Sequence, residues 1–331
     1  MYQLAFVCNN TLIYWHSVIL VLAVLTGMIF FLATYYCRTG EITWAAVACP
    51  ISISASIALA RVIYWLFRPE VYESLSQALS SSGYALIGVF AGCFLTACLL
   101  RLLKAVNSLP SLLDCMCIGG SVAIALGRLS FFFTPEDRGE ILSGFTGLPF
   151  VCPVVNATSG AEEYRFATFL FQALAAGCIF VYLLISFLNS LGKQRCRDGS
   201  ITMKFLLLYC TSQIVLDSTR YDGLHLRSNG FISAVQVLCA VALVLVIGVL
   251  SAQVPHRSGK LSRLVPVWLL SAAALGGCAY MEYFVQRHGD RAVLAYTIMS
   301  GCLLVIVFAG FLLLRWGQPR IAQAANREDT P

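Results

Sequence analysis

The chain is built from uninterrupted apolar runs of about 20 residues joined by short polar loops, and that one feature excludes most folds. A helix needs about 20 apolar residues to cross a hydrocarbon core of roughly 30 Å. Lipid-exposed backbone must also satisfy its own hydrogen bonds, and these runs lack the two-residue alternation of a barrel. Composition agrees with this reading. Hydrophobic residues make up 59% of the 331 and charged ones only 11%, against roughly 25% charged in an ordinary soluble protein. The expected fold is therefore all-α, a polytopic transmembrane helical bundle. About nine spans are read, at 12–36, 45–67, 83–100, 112–133, 166–190, 203–217, 231–252, 262–284 and 292–314. No internal repeat or low-complexity tract interrupts them.

Orientation follows from the lysines and arginines of the short loops. Thirteen fall in the loops on one side and the tail, from Arg38 through the Lys193–Lys204 group to Arg327. Seven fall in the other set: Arg68, Arg138, Arg165, Arg220, Arg227, Arg287 and Arg291. A multi-pass plasma-membrane protein with its N-terminus outside and its C-terminus in the cytoplasm satisfies this bias. The net charge of +6 is then a topology signal and gives no reason to expect nucleic acid. No Lys or Arg precedes Arg38, so the positive start of a secretory signal is not seen and the first run is expected to remain as a span. Thr134–Arg165 forms the longest outer loop.

Fourteen cysteines suggest a disulfide framework only until they are placed. Eight of them, from Cys49 to Cys302, lie inside apolar runs, where cysteine behaves as a small hydrophobe. Cys115 and Cys117 stand together without the further ligands of a zinc site, so no metal is expected. Cys8 and Cys152 are left as either an outer disulfide or two free thiols.

Several polar residues reach one level of the membrane. Arg128 lies in the outer part of the fourth span, with Glu136 just beyond it. His16 begins the first span, and Arg61 ends the second. Gln213, Asp217 and Arg220 share one face at the outer end of the sixth, by their four- and three-residue spacing. Ionisable groups within spans are costly and usually face a bundle interior or a wet cavity. Each of these residues has an ordinary alternative: arginines snorkel to headgroups, Asp217 and Arg220 form a structural pair, and His16 is interfacial. Their co-location favours an anionic-headgroup site, in which arginine forks hold a phosphate. Asp114, at the inner start of the fourth span, suits a helix N-terminus and a structural role. Glu282, near the outer end of the eighth span, could face the same cavity but reads more readily as an interfacial residue.

The order of these segments resembles the prolipoprotein diacylglyceryl transferase family. LIYWHSVILVLAV is similar to its first span, ARVIYWLF to its second and SLLDCMCIGGSVAIALGRLSFFFTPEDRG to its fourth. That fourth span carries the signature Arg-Ile-Gly-Asn-Phe-Ile-Asn-Gly-Glu, which places Arg128 at the arginine, Glu136 at the glutamate and Gly139 at the glycine beyond. ATFLFQAL resembles the head of the fifth span, and LRSNGFIS the stretch leading into the seventh. QIVLDSTRYD resembles Arg-Phe-Leu-Val-Glu-Phe-Phe-Arg-Glu-Pro-Asp, placing Asp217 at the glutamate and Arg220 at the second arginine. Similarity runs through about Leu250. The last two spans have no counterpart in the usual seven-span enzyme, so the expected organisation is a transferase-like core over 1–252, two added helices over 253–315 and a cytoplasmic tail over 316–331. There are departures. GYALIGVFAG lacks the family's third-span histidine, the signature asparagine falls at Phe131, the first arginine of the sixth-span motif at Gln213, and the usual first-span tyrosine at His16.

The resemblance implies transfer of a diacylglyceryl group from phosphatidylglycerol to the lipobox cysteine of a prolipoprotein signal peptide, with no metal or organic cofactor. In that reaction a thiolate attacks the glycerol carbon and glycerol phosphate leaves. The expected catalytic residues are His16, Arg128, Asp217 and Arg220. The expected lipid- and phosphate-binding set is Arg61, Arg128, Glu136, Gly139, Gln213 and Arg220. His16 is a candidate base, because an unperturbed imidazole titrates near neutral pH. A non-catalytic relative that binds a phospholipid or a lipoprotein signal segment is the alternative. A transporter is weaker, since the polar groups gather in one leaflet.

Overall fold

The computed structural model describes residues 3–8, 11–68, 74, 76–77, 83–141, 150–155, 160–191, 197–221, 223–224, 232–255, 260–287 and 291–317. Among them are nine α-helices and two short antiparallel hairpins. The first hairpin pairs β1 (Leu4–Cys8) with β2 (Thr11–Tyr14). Part of what reads as the first span is thus a strand, because TLIY is β-forming and has β-forming LAFVC beside it to pair with. Helix α1 (Trp15–Thr39) begins where that pairing ends, and Gly40 stops it in the left-handed conformation, its N–H donating to the Tyr36 carbonyl at 2.8 Å.

Helices α2 (Thr43–Phe67), α3 (Leu86–Leu102) and α4 (Leu109–Leu129) follow. Ser108 caps α4, accepting from the Ser111 N–H at 3.3 Å, with Pro110 in the first turn where its missing N–H costs nothing. Helix α4 runs on as a 3₁₀ turn over Ser130–Phe133. The Thr134–Arg165 segment, read from sequence as a loop, carries the second hairpin, β3 (Val151–Val155) with the first four residues of β4 (Glu162–Phe166). Positions 142–149 and 156–159 of that loop lie outside the described residues. The chain continues through α5 (Thr168–Leu191), α6 (Ser200–Ser218), α7 (Ala234–Gln253), α8 (Lys260–Arg287) and α9 (Ala292–Gly317). Seven of the nine are long and apolar enough to cross a membrane, while α3 with 17 residues and α6 with 19 are the shortest. The protein is a multi-pass α-helical membrane protein.

The chain forms two compact units, Met1–Leu238 and Cys239–Pro331. Within the first, α1 crosses α4 so closely that a Cβ on Gly119 would lie 2.4 Å from the Gly27 carbonyl oxygen. Gly88 and Gly92 seat α3 on α2 in the same way, since a Cβ on either would fall within 2.5 Å of the Ala60 or Ser56 backbone. Close approach through small residues four apart replaces the hydrophobic driving force that lipid removes. The core behind these crossings includes Leu100, Leu112, Ile118, Leu183, Phe187 and Phe205.

Near the start of α4, Asp114 is completely buried and accepts four hydrogen bonds. They come from Arg38 Nη1 at 3.1 Å, the Gly199 N–H at 2.9 Å, and the Thr202 N–H and Oγ1 at 2.8 Å each. The carboxylate therefore caps α6 rather than its own helix. Arg38 also reaches Asp198 at 2.5 Å, and Ser108 Oγ donates to the same carboxylate at 2.6 Å.

In the second unit α8 packs on α9, where Cys278 Sγ donates to the Met299 carbonyl at 3.7 Å. Trp268 Nε1 joins α8 to α7 through Ser251 Oγ at 3.1 Å. Glu282 is buried on α8. Residues 318–331, read as most of the tail, lie outside the described residues. Cys152 carries a free thiol, and the side chain of Cys8 is not among those described.

Candidate active site

The site is assembled where α4 ends. The 3₁₀ turn points the chain out of the helix, with Ser130 Oγ donating to the Gly127 carbonyl at 2.6 Å. Pro135 cannot continue a helix, and Asp137 then adopts φ +60°. A non-glycine residue rarely sits there, and aspartate tolerates it better than most. This turn puts the Asp137 carboxylate, only 1% exposed, between two arginines. Arg128 Nη1 donates to Oδ2, and Arg220 Nε lies 2.7 Å from Oδ1. Arg220 Nη1 is also 3.4 Å from Asp217 Oδ1, a longer and weaker contact.

Asp217 is buried at the end of α6, and its other oxygen accepts from Ser233 Oγ. Ser233 and Gln236 form a reciprocal capping box at the start of α7. The Gln236 N–H donates to Ser233 Oγ at 3.1 Å, and the Ser233 N–H donates to Gln236 Oε1 at 2.9 Å. Gln236 Nε2 then ties this start back to the Ile214 carbonyl at 3.2 Å. The cluster thus rests on the ends of three helices.

Gly139 closes the junction. It forms an isolated bridge with Arg220, and its N–H donates to the Phe166 carbonyl at 2.8 Å. An added Cβ would lie 2.7 Å from the Thr219 carbonyl oxygen and 2.9 Å from Thr168 Oγ1. Backbone therefore approaches backbone here, which only glycine permits. His16 and Arg128 meet the same Phe131 ring. The imidazole centroid stands 5.2 Å from it and the guanidinium carbon 5.8 Å. His16 Nδ1 is buried without a hydrogen-bond partner.

Arg128, Asp217, Arg220, Gly139 and His16 are thus placed around one junction. Gln213 lies buried one turn before Asp217 and accepts from Gln172 Nε2 at 3.4 Å. Two expected residues stand differently. Glu136 is exposed, and the carboxylate between the arginines is that of Asp137. Alignment to a signature glutamate chose the first acid of Pro-Glu-Asp-Arg, but the left-handed turn at the second aims that one inward. Arg61 lies over the Tyr84 ring at 4.1 Å and donates to its hydroxyl at 2.8 Å.

Arg138 and Ser233 also belong to the junction, although in sequence Arg138 reads only as a loop charge that helps set topology. Arg138 is 6% exposed and donates through Nη2 to the Phe131 and Thr134 carbonyls, each at 3.1 Å, with Phe169 against its guanidinium at 4.4 Å. The signal available in sequence was the charge-dense PEDR itself. Among the described residues no group of three His, Cys, Asp or Glu side chains stands as a metal site.

Fold and junction together define a multi-pass helical membrane protein with a buried arginine–aspartate cluster at one end of its core. A family model described as prolipoprotein diacylglyceryl transferase matches residues 3–251. The chain belongs to that family. Relatives named phosphatidylglycerol–prolipoprotein diacylglyceryl transferase include one from Thermotoga petrophila, 31% identical over 200 residues, which cover 58% of this chain and 64% of the relative. One from Trichormus variabilis is 27% identical over 223 residues, covering 64% of this chain and 76% of the relative. One from Clostridium botulinum is 25% identical over 256 residues, covering 74% and 94%. The chain thus matches a little under two thirds of the Thermotoga protein's length.

Proposed function

We propose that this protein transfers the diacylglyceryl group of phosphatidylglycerol to the lipobox cysteine of prolipoproteins. The observation that carries the reading is the convergence of Arg128 and Arg220 on Asp137. It joins the two segments that resemble the family's motifs into one buried polar site beside the lipid-facing helices.

The chemistry asks for two things. As the thiolate sulfur attacks the glycerol carbon, the carbon–oxygen bond to phosphate breaks and glycerol phosphate departs with the bonding pair. Arginine donors stabilise the charge growing on that leaving oxygen, in a site where low dielectric strengthens them. The thiol proton needs an acceptor, and His16 offers a buried, unpartnered Nδ1 beside Phe131. His16 would then supply the base for which the third helix has no histidine. Asp137 and Asp217 act by positioning, holding the arginines in fixed rotamers. The substrates are phosphatidylglycerol and prolipoprotein signal peptides, in the bacterial inner membrane. The hairpin end of the core, with the N-terminus, faces outward, and the C-terminal tail faces the cytoplasm.

The deciding experiment is twofold: complementation of a strain depleted of its own transferase, and transfer from labelled phosphatidylglycerol to a lipobox peptide by the purified protein. Modified peptide is expected in vitro and growth in vivo. Absence of both, with phosphatidylglycerol still bound, would replace the enzyme by a lipid-binding relative. Orientation is checked by labelling cysteines introduced in the Leu191–Ser200 segment of intact cells. Reagent outside should fail to reach them.

A further inference from the structure

The junction contains more positive than negative charge. Arg128 and Arg220 pair with Asp137 and Asp217, and Arg138, next in sequence to Asp137, adds a third cation. Asp137 is shared by Arg128 and Arg220, and Asp217 also contacts Arg220. Arg138 has no carboxylate within salt-bridge distance among the described residues, and its sequence neighbours Glu136 and Glu140 are exposed. Its guanidinium is nevertheless buried, and both Nε and Nη1 lack a hydrogen-bond partner. A buried cation with vacant donors is costly unless something pairs with it. Phe169 offsets part of that cost, through the ring face, but a ring accepts no in-plane hydrogen bond. Arg138's own carbonyl accepts from the Tyr221 N–H at 3.0 Å, next to Arg220, which ties its backbone to the junction already described.

We infer that Arg138 is the anion anchor of this site, its Nε–H and Nη1–H donors taking oxygens of a glycerophosphate group. Arg128 and Arg220 add no net charge, because Asp137 and Asp217 balance them. One phosphodiester monoanion neutralises the junction. A headgroup that carries its own cation does not, so phosphatidylglycerol is favoured over phosphatidylcholine. The inference rests on the transferase reading for the identity of the lipid, but the anion site is testable without it.

The test uses the full chain, purified, with three probes: phosphatidylglycerol nanodiscs, phosphatidylcholine nanodiscs and free glycerol phosphate. Arg138→Gln should weaken phosphatidylglycerol and glycerol phosphate by roughly tenfold or more, as expected for losing charge-assisted hydrogen bonds. Arg165→Gln is the control, since it removes a cation of the same region that is already paired with Glu163, and it should shift binding by less than about twofold. Wild-type affinities in Arg138→Gln overturn the inference, as does an equal loss in Arg165→Gln, which would indicate general electrostatics. Phosphatidylglycerol binding assigns the anion to a lipid and glycerol phosphate binding alone to a soluble product, whereas binding of neither overturns the site. If Arg138→Gln does not fold, a structure of the wild-type protein with glycerol phosphate decides. Phosphate oxygens within hydrogen-bond reach of Arg138 are expected, and phosphate elsewhere refutes the assignment. Wild-type phosphate binding without peptide modification would sink the transferase reading and leave Arg138 as the anchor. Transfer activity with normal binding by Arg138→Gln would do the reverse.

Discussion

Two aspartates mark the two ends of α4, Asp114 within its second turn and Asp137 beyond its end, and both are fully buried. Asp114 receives four donors in unstrained geometry, and its arginine partner is shared with the exposed Asp198. Asp137 sits in the left-handed region, divides its carboxylate between arginines from two segments, and is followed by a buried guanidinium with two vacant nitrogens. The first cluster is saturated, with its surplus charge facing solvent. The second is strained and holds its surplus inside. A buried ion pair alone does not announce function. The degree of saturation does, because natural structures leave few buried polar groups without partners, and strain tends to be kept where it is used.

The largest effect is expected at the saturated end. Asp114→Ala leaves the α6 N-terminus uncapped and Arg38 short of its inner partner, a loss of about 3–5 kcal/mol for breaking a buried pair. Thermal unfolding in detergent measures it. The fraction that remains folded should still modify lipobox peptide at its normal rate. Activity lost beyond stability there would break the contrast between the two ends.

At the strained end the expected order is reversed. Asp137→Asn keeps the shape, removes the charge that fixes Arg128 and Arg220, and should cut transfer by about a hundredfold, the scale of losing one preorganised electrostatic contact. Its unfolding temperature should fall less than that of Asp114→Ala. Arg128→Lys should fail nearly as badly as Arg128→Ala, since a point charge does not reproduce the guanidinium fork. A fully active lysine variant would reduce Arg128 to a snorkelling arginine.

The spans were legible because length and apolarity are local properties: the nine runs and the nine helices among the described residues agree to within a few residues. The hairpins were not. Thr11–Tyr14 continues the apolarity of α1, so only its pairing with Leu4–Cys8 reveals a strand. In the site, Arg128, Asp217 and Arg220 could be read from spacing and resemblance, since both act on one-dimensional patterns. Asp137 could not, because its role depends on a backbone torsion that turns it inward while Glu136 faces out. Arg138 was hidden for a similar reason. In sequence it is a loop charge, and only three-dimensional burial makes it a buried cation without a carboxylate partner among the described residues.

Gly139→Ala tests whether the junction depends on backbone contact. The new Cβ would press on the Thr219 carbonyl and Thr168 Oγ1, and overpacking of this kind costs about 1–3 kcal/mol. The effect should fall on activity as well as stability, since displacing Thr219 moves Arg220. A wild-type unfolding temperature would mean that the junction yields easily and is less preorganised than proposed.

The smallest effect is expected at Ser233, which links the two kinds of contact. Its hydroxyl caps α7, as in any saturated helix end, and also donates to Asp217 of the cluster. Losing an N-cap costs about 1 kcal/mol, so Ser233→Ala should lower stability by that amount. If Asp217 only closes the bundle, activity should follow the small stability loss. If Asp217 positions Arg220, the freed carboxylate oxygen should let Arg220 shift, and kcat should fall severalfold while the KM for the lipobox peptide stays near its wild-type value. Ser233→Thr restores the hydroxyl and should rescue both quantities. Rescue of stability by threonine without rescue of kcat would separate the cap from the cluster, and would leave Asp217 as a second saturated aspartate like Asp114.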